Sequence, residues 1–175
     1  VVFEKNPLGE IGKKVASKVE ELITIKSSTN ILVITIYPGW GALEQKVKCI
    51  REYYKGKCNL DVLYIKDKTT TEQIILDKLN HRDYHVVINT TLSTIIHSVN
   101  AIRTFMSNRN INIINVSTDY TKLYLDDAKT IRIDDYIEDG SLEYANGWNQ
   151  YYIGYTSVFH CLSKTLLYTN HLVDD

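Results

Sequence analysis

Two short polar segments of this chain have residue types and spacing that suit ligand chemistry. Asn89-Thr90-Thr91-Leu92-Ser93-Thr94 packs four hydroxyls and an amide into six residues, directly ahead of an apolar helical repeat. The first turn of a helix carries unpaired N–H groups and a partial positive charge, so hydroxyls placed there suit a phosphate. The plainer reading is that Thr91 or Ser93 caps the helix. Tyr37-Pro38-Gly39-Trp40-Gly41 offers two glycines that let backbone approach a ligand and an indole able to stack on a nucleobase. Its plainer reading is a turn with an incidental Trp. The candidate ligand-binding residues are therefore Tyr37, Gly39, Trp40, Gly41, Asn89, Thr90, Thr91, Ser93 and Thr94.

The missing patterns narrow the chemistry. Neither segment has the G-x-G-x-x-G of a dinucleotide site or the G-x-x-x-x-G-K-[ST] of a P-loop. His81, His85, His97, His160 and His171 show no metal-ligand spacing, and no metal or cofactor is expected. The pairs Asp126-Asp127 and Asp134-Asp135 fall at turn-like positions and read as solvated carboxylates. A receiver domain needs acidic residues at the end of its first strands, where Tyr37-Pro38 stand. Cys49 and Cys161 lie among apolar helical neighbours and read as small hydrophobes. No catalytic residue emerges from spacing.

The elements that must position these segments follow from periodicity. Asn6-Pro7 followed by Ile11, Val15, Val19, Leu22 and Ile23 predicts a capped helix within a leading segment 1–30. The β-branched run Ile31 to Ile36 predicts a strand buried on both faces of a parallel sheet. Leu43, Val47, Ile50 and Tyr54 predict a helix stopped at Gly56 by a left-handed turn, and Asp61 to Ile65 a second strand. Thr69-x-x-Glu72 and Thr70-x-x-Gln73 have capping-box spacing ahead of a short helix, before a third strand, Tyr84 to Ile88. Ile95, Val99, Ile102 and Met106 predict a helix, and Ile111 to Val116 a fourth strand. Lys122 to Leu125 and Thr130 to Ile133 predict an antiparallel hairpin appended to the sheet. From Asp134 to Gly154 the pattern fails, although Tyr144, Trp148, Tyr151 and Tyr152 there suit an interface or a cover over a ligand. A last helix is predicted over about 156–168.

This alternation predicts an α/β fold, a three-layer Rossmann-like sandwich with a mainly parallel sheet and a C-terminal β-hairpin, in one domain across 1–175. In such a sheet, wound both ways from its first strand, the loops after the first and third strands flank the ligand crevice. The 175 residues, 44% hydrophobic and 23% charged, suit one globular core. A net charge of -1 gives no pull toward membrane or long nucleic acid, so any bound polyanion is small. Cys49, Cys58 and Cys161 form no disulfide framework, which predicts a reducing, cytoplasmic compartment. No apolar run reaches the roughly 18 residues of a membrane span, and the absence of an initiator Met implies a trimmed start.

With Asn89, Thr91, Ser93 and Thr94 after the third strand, a ligand loop after the first, and a terminal hairpin, the stretch from Ile31 to Ile133 resembles a CARF domain, the CRISPR-associated Rossmann fold that senses cyclic oligoadenylates. Ile95 stands where that family often has a basic residue, and the helix before Ile31 is absent from members that begin with their first strand. The resemblance implies a homodimeric antiviral sensor binding cyclic oligoadenylate, with adenines near Trp40 or Tyr37 and phosphates on the amides of Thr91 to Thr94. It also implies, as an alternative, a metal-independent ring nuclease, for which Lys164 is a candidate cation. A sugar-phosphate-binding, isomerase-like domain is the other alternative, although the Asn89 to Thr94 loop has no Ser-Gly pair. A dimerising regulatory domain without a ligand is the fourth reading.

Overall fold

The computed structural model describes residues 7–39, 41–66, 69–107, 109, 111–119, 123–124, 130–131 and 133–145, all within the compact unit Asn6–Gly147. Helix α1 (Pro7–Leu22) opens with Pro7, whose missing N–H costs nothing at the first helical position. Strand β1 (Asn30–Ile36), helix α2 (Gly41–Tyr54), strand β2 (Asn59–Ile65), helix α3 (Thr71–His81), strand β3 (Val86–Asn89), helix α4 (Leu92–Ser107) and strand β4 (Ile114–Ser117) follow in strict alternation. Gly56, with φ of 75°, takes the left-handed conformation expected where α2 stops.

Strand order is β2-β1-β3-β4, every pair parallel, with β1 between β2 and β3. The α/β reading and its winding from the first strand are therefore correct. Side chains alternate between two cores, as a period of two requires. Ile31, Val33, Val86, Ile88 and Val116 face α1 and α2, where Val15, Val19, Val47 and Ile50 meet them. Leu32, Ile34 and Val87 face α3 and α4, meeting Ile75, Leu79, Ile102 and Phe105. Burying each such side chain contributes about 1.5–3 kcal/mol, so the unbroken apolar run of β1 specifies a central strand covered on both sides.

Three expectations are corrected. The hairpin, β5 (Leu123–Tyr124) with β6 (Thr130–Ile131), is a separate two-stranded antiparallel sheet and does not extend the main one. The stretch after Asp134 holds helix α5 (Ile133–Glu138) and strand β7 (Tyr144–Ala145), which pairs parallel with β4 as the fifth strand. A six-residue helix and a two-residue strand are too short to print a period. Tyr144 packs against the core beside α1. Thr70 stands at the start of α3 without a side-chain cap bond, so Thr70-x-x-Gln73 does not form the expected capping box. The helix expected over 156–168, with Lys164, and the residues Trp148, Tyr151 and Tyr152 lie outside the described residues.

Candidate functional site

The C-terminal ends of β1, β3 and β4 bring three loops together at the point where the winding reverses, the crevice in which such sheets take ligands. The first loop is exposed. Tyr37 is 40% exposed and has φ of 38°, a left-handed backbone that costs a non-glycine residue roughly 1–2 kcal/mol. Its N–H donates to the Ile65 carbonyl at 3.4 Å. Gly39, with φ of 90°, donates its N–H to Glu44 Oε1 at 3.2 Å, so the first turn of α2 fastens the loop. Gly41 begins α2 in open space, and Trp40 lies outside the described residues.

The second loop is mostly folded into the protein. Asn89 and Thr90 are fully buried and Thr94 nearly so. Asn89 Nδ2 donates to Asn115 Oδ1 at 2.8 Å, and Asn89 Oδ1 is buried without a hydrogen-bond partner. The Thr90 hydroxyl donates to Thr35 Oγ1 at 2.8 Å and the Thr94 hydroxyl to the Thr91 carbonyl at 2.8 Å. Thr91 Oγ1 also accepts from the Thr94 N–H at 3.4 Å, as a helix cap does. Thr91 and Ser93, half-buried and 2.9 Å apart at their hydroxyls, are the pair that reaches the crevice.

Periodicity did not reveal the third loop. Asp119, just beyond β4, is half-buried and accepts the Leu92 N–H, the first amide of α4, on Oδ2 at 3.0 Å. Beneath it, Lys46 on α2 is only 8% exposed and donates from Nζ to the carbonyls of Thr90 and Thr118, each at 3.1 Å. Burial pulls the Lys46 pKa below the ordinary lysine value, and the nearby Asp119 carboxylate opposes that shift. A signal for Lys46 was present, because position 46 falls on the apolar stripe of Leu43, Val47 and Ile50. Asp119 had a positional signal, as the first acidic residue after the fourth strand.

This arrangement disfavours a phosphate. Two N–H groups of the α4 first turn, Leu92 and Thr94, already donate to Asp119 and Thr91, and the Asp119 carboxylate repels an anion. A carboxylate beside two hydroxyls suits the hydroxyl groups of a neutral polyol, which donate and accept together. His85 is engaged at the opposite end of the sheet, where its Nδ1 accepts the Asn30 N–H at 3.1 Å. Among the described residues no three His, Cys, Asp or Glu side chains converge as a metal site would. Cys49 is a buried free thiol and Cys58 a half-buried one.

No family model matches the sequence, and no curated protein matches it. Among solved structures, the chain is similar to the periplasmic sugar-binding protein of an ABC sugar transporter from Legionella pneumophila. There the identity is 16% and the TM-score 0.66, over 87% of this chain and 53% of that one. It is similar to the periplasmic component of an ABC-type sugar transport system from Hahella chejuensis, at 15% identity and TM-score 0.66 over 89% and 54%. A carbohydrate transporter from Acidothermus cellulolyticus 11B, in complex with myo-inositol, matches at 17% identity and TM-score 0.58 over 78% and 42%. The chain spans about half the length of such solved chains, and likeness at these identities establishes fold alone. It nevertheless overturns the CARF resemblance, and with it the cyclic oligoadenylate ligand, the homodimer built around it, the antiviral sensor and the ring nuclease. The loop motif was short enough to recur on another wound sheet, and the fold that carries it here is the one shared with periplasmic sugar-binding proteins.

Proposed function

We propose that the crevice at the ends of β1, β3 and β4 is one wall of a binding site for a small neutral polyol, a sugar or a close relative. The observation that carries this reading is the Asp119 carboxylate set beside the Thr91 and Ser93 hydroxyls while the Leu92 and Thr94 amides of α4 are already engaged. The fold shared with periplasmic proteins of sugar transport systems supports it. Tyr37, Gly39, Gly41, Thr91, Ser93 and Asp119 supply the contacts. Asn89, Thr90 and Thr94, buried as they are, shape the wall from beneath. The role is binding, with no bond made or broken.

As to compartment, no described helix is long and apolar enough to cross a membrane. The free thiols of Cys49 and Cys58 favour a reducing compartment and the periplasmic structural neighbours an exported setting; the polyol reading requires neither.

Thermal-shift and calorimetric titration of the full chain with ribose, xylose, glucose, galactose and myo-inositol tests the proposal. At least one is expected to bind saturably, and Asp119→Asn, which keeps an oxygen for the Leu92 N–H, to weaken it by about tenfold or more through loss of a charge-assisted hydrogen bond. Preference for a hexose phosphate over every neutral sugar, or equal binding by the Asn variant, would refute it.

A further inference from the structure

We propose that the Lys46 ammonium is the positioning group of this crevice, a built-in cation that gathers the loops after β3 and β4 and so fixes how Thr91, Ser93 and Asp119 are presented. Only the presentation to a ligand rests on the polyol reading; the gathering of the loops stands on geometry alone.

Lys46 reaches Thr90 and Thr118, the residues immediately beyond the ends of two adjacent parallel strands. Those loops are also tied to each other, since the Thr118 N–H donates to the Asn89 carbonyl at 2.8 Å and the Thr118 hydroxyl to the Thr90 carbonyl at 3.3 Å. Both carbonyls therefore turn inward to one Nζ. The next residue along each loop turns outward: Thr90 and Thr118 are fully buried, whereas Thr91 and Asp119 are half-buried. A strand end left to itself has no such convergence, because neighbouring carbonyls repel unless a donor stands between them.

The stripe around Lys46 is apolar, with Leu43, Val47 and Ile50 also buried, so a methionine would fit there. Removing one partner of a buried polar contact is costly for the groups left behind, here the carbonyls of Thr90 and Thr118. A methionine would fill the space but offer no donor to the two loops, so the contacts to Thr90 and Thr118 are what the lysine adds at this position. Among the described residues, Asp119 is the charged group that acts on Lys46, and it favours the ammonium form.

Amide hydrogen exchange on the full chain, wild type against Lys46→Met, tests the inference. Amides of Thr90 to Thr94 and Thr118 to Asp119 are expected to exchange about tenfold faster or more in the variant, the change that loss of a hydrogen bond from a charged donor implies. Amides of Val15, Val33 and Ile75 should keep their wild-type rates. In Lys46→Ala, methylammonium chloride should restore the slow rates and sodium chloride should not, a rescue that lost packing alone would not show. Unchanged loop rates, or acceleration spread evenly over the chain, would overturn the inference. Should neither variant fold, the Lys46 Nζ resonance in the wild type decides: slow exchange with water supports the clamp, and the fast exchange of surface lysines refutes it. Sugar titration of Lys46→Met then separates the two proposals. Binding as tight as wild type removes the positioning role, while absence of sugar binding in the wild type with the exchange pattern intact removes only the polyol reading.

Discussion

Asp61 shows how one side chain can tie an edge strand to the body of this fold. It accepts from the Tyr84 hydroxyl and lies 3.3 Å from Lys78 and 3.4 Å from Arg82, linking β2 to α3 and to the entry of β3. The Tyr84 hydrogen bond first, then the two cations, hold its carboxyl below the usual aspartate pKa, against the opposing effect of burial. A carboxylate whose folded pKa is depressed stabilises the protein above its unfolded pKa, about 3.9, and that stabilisation is lost as pH falls through the folded value. Asp61→Asn is therefore expected to lose about 1 kcal/mol at pH 7, a value kept small because the group is partly solvated. That deficit should close as the pH is lowered past 3.9, when measured by urea unfolding. A deficit constant with pH would mean that the carboxylate charge is not its source. At this scale the sequence was only partly legible. The hydroxyls from Thr90 to Thr94 announced a polar loop, but composition does not tell whether a hydroxyl faces a ligand or another threonine, as Thr90 faces Thr35. Asp61 itself carried no signal, because its three partners are assembled by the fold.

Among the elements, α1 and α2 pack closely at Gly12, and the Tyr54 hydroxyl donates across that contact to the Ala16 carbonyl at 2.8 Å. A Cβ at Gly12 would stand 3.0 Å from the Lys46 carbonyl and 3.4 Å from Cys49 Cβ, so backbone must shift to admit it. Alanine favours a helix over glycine by up to about 1 kcal/mol, whereas overpacking costs about 1–3 kcal/mol. Gly12→Ala is expected to destabilise by about 1 kcal/mol net. Gly41→Ala, whose Cβ meets nothing within 4 Å, should change stability by no more than about 0.5 kcal/mol. Thermal unfolding of the two variants compares them directly, and equal midpoints would show that the helices part without penalty. The long elements were readable because α1, α2 and α4 each repeat their apolar positions over several turns. Helix α5 and strand β7 were not, since their stability comes from Leu142 and Tyr136 packing beside α4, a tertiary effect without a local period.

For the molecule as a whole, alternation of strand and helix was enough to place β1 at the centre and the first and third loops at the crevice. It was not enough to say which wound sheet this is. That depends on features such as the fifth parallel strand β7, two residues long, and the detached β5-β6 sheet of four, which the sequence barely records. The strand order also has a kinetic consequence. With β1 flanked by β2 and β3, neither neighbour reachable by a tight turn, sheet assembly depends on bringing together segments far apart in the chain, which slows folding. Until β3 docks, the Ile31 to Ile36 run has an open edge and two apolar faces, the features that make a partly folded chain stick to its copies. Refolding from urea should accordingly be slow and lose yield as protein concentration rises from roughly 1 to 50 µM, the range in which such species associate. A yield independent of concentration would mean that β1 is sheltered early, before the sheet around it is complete.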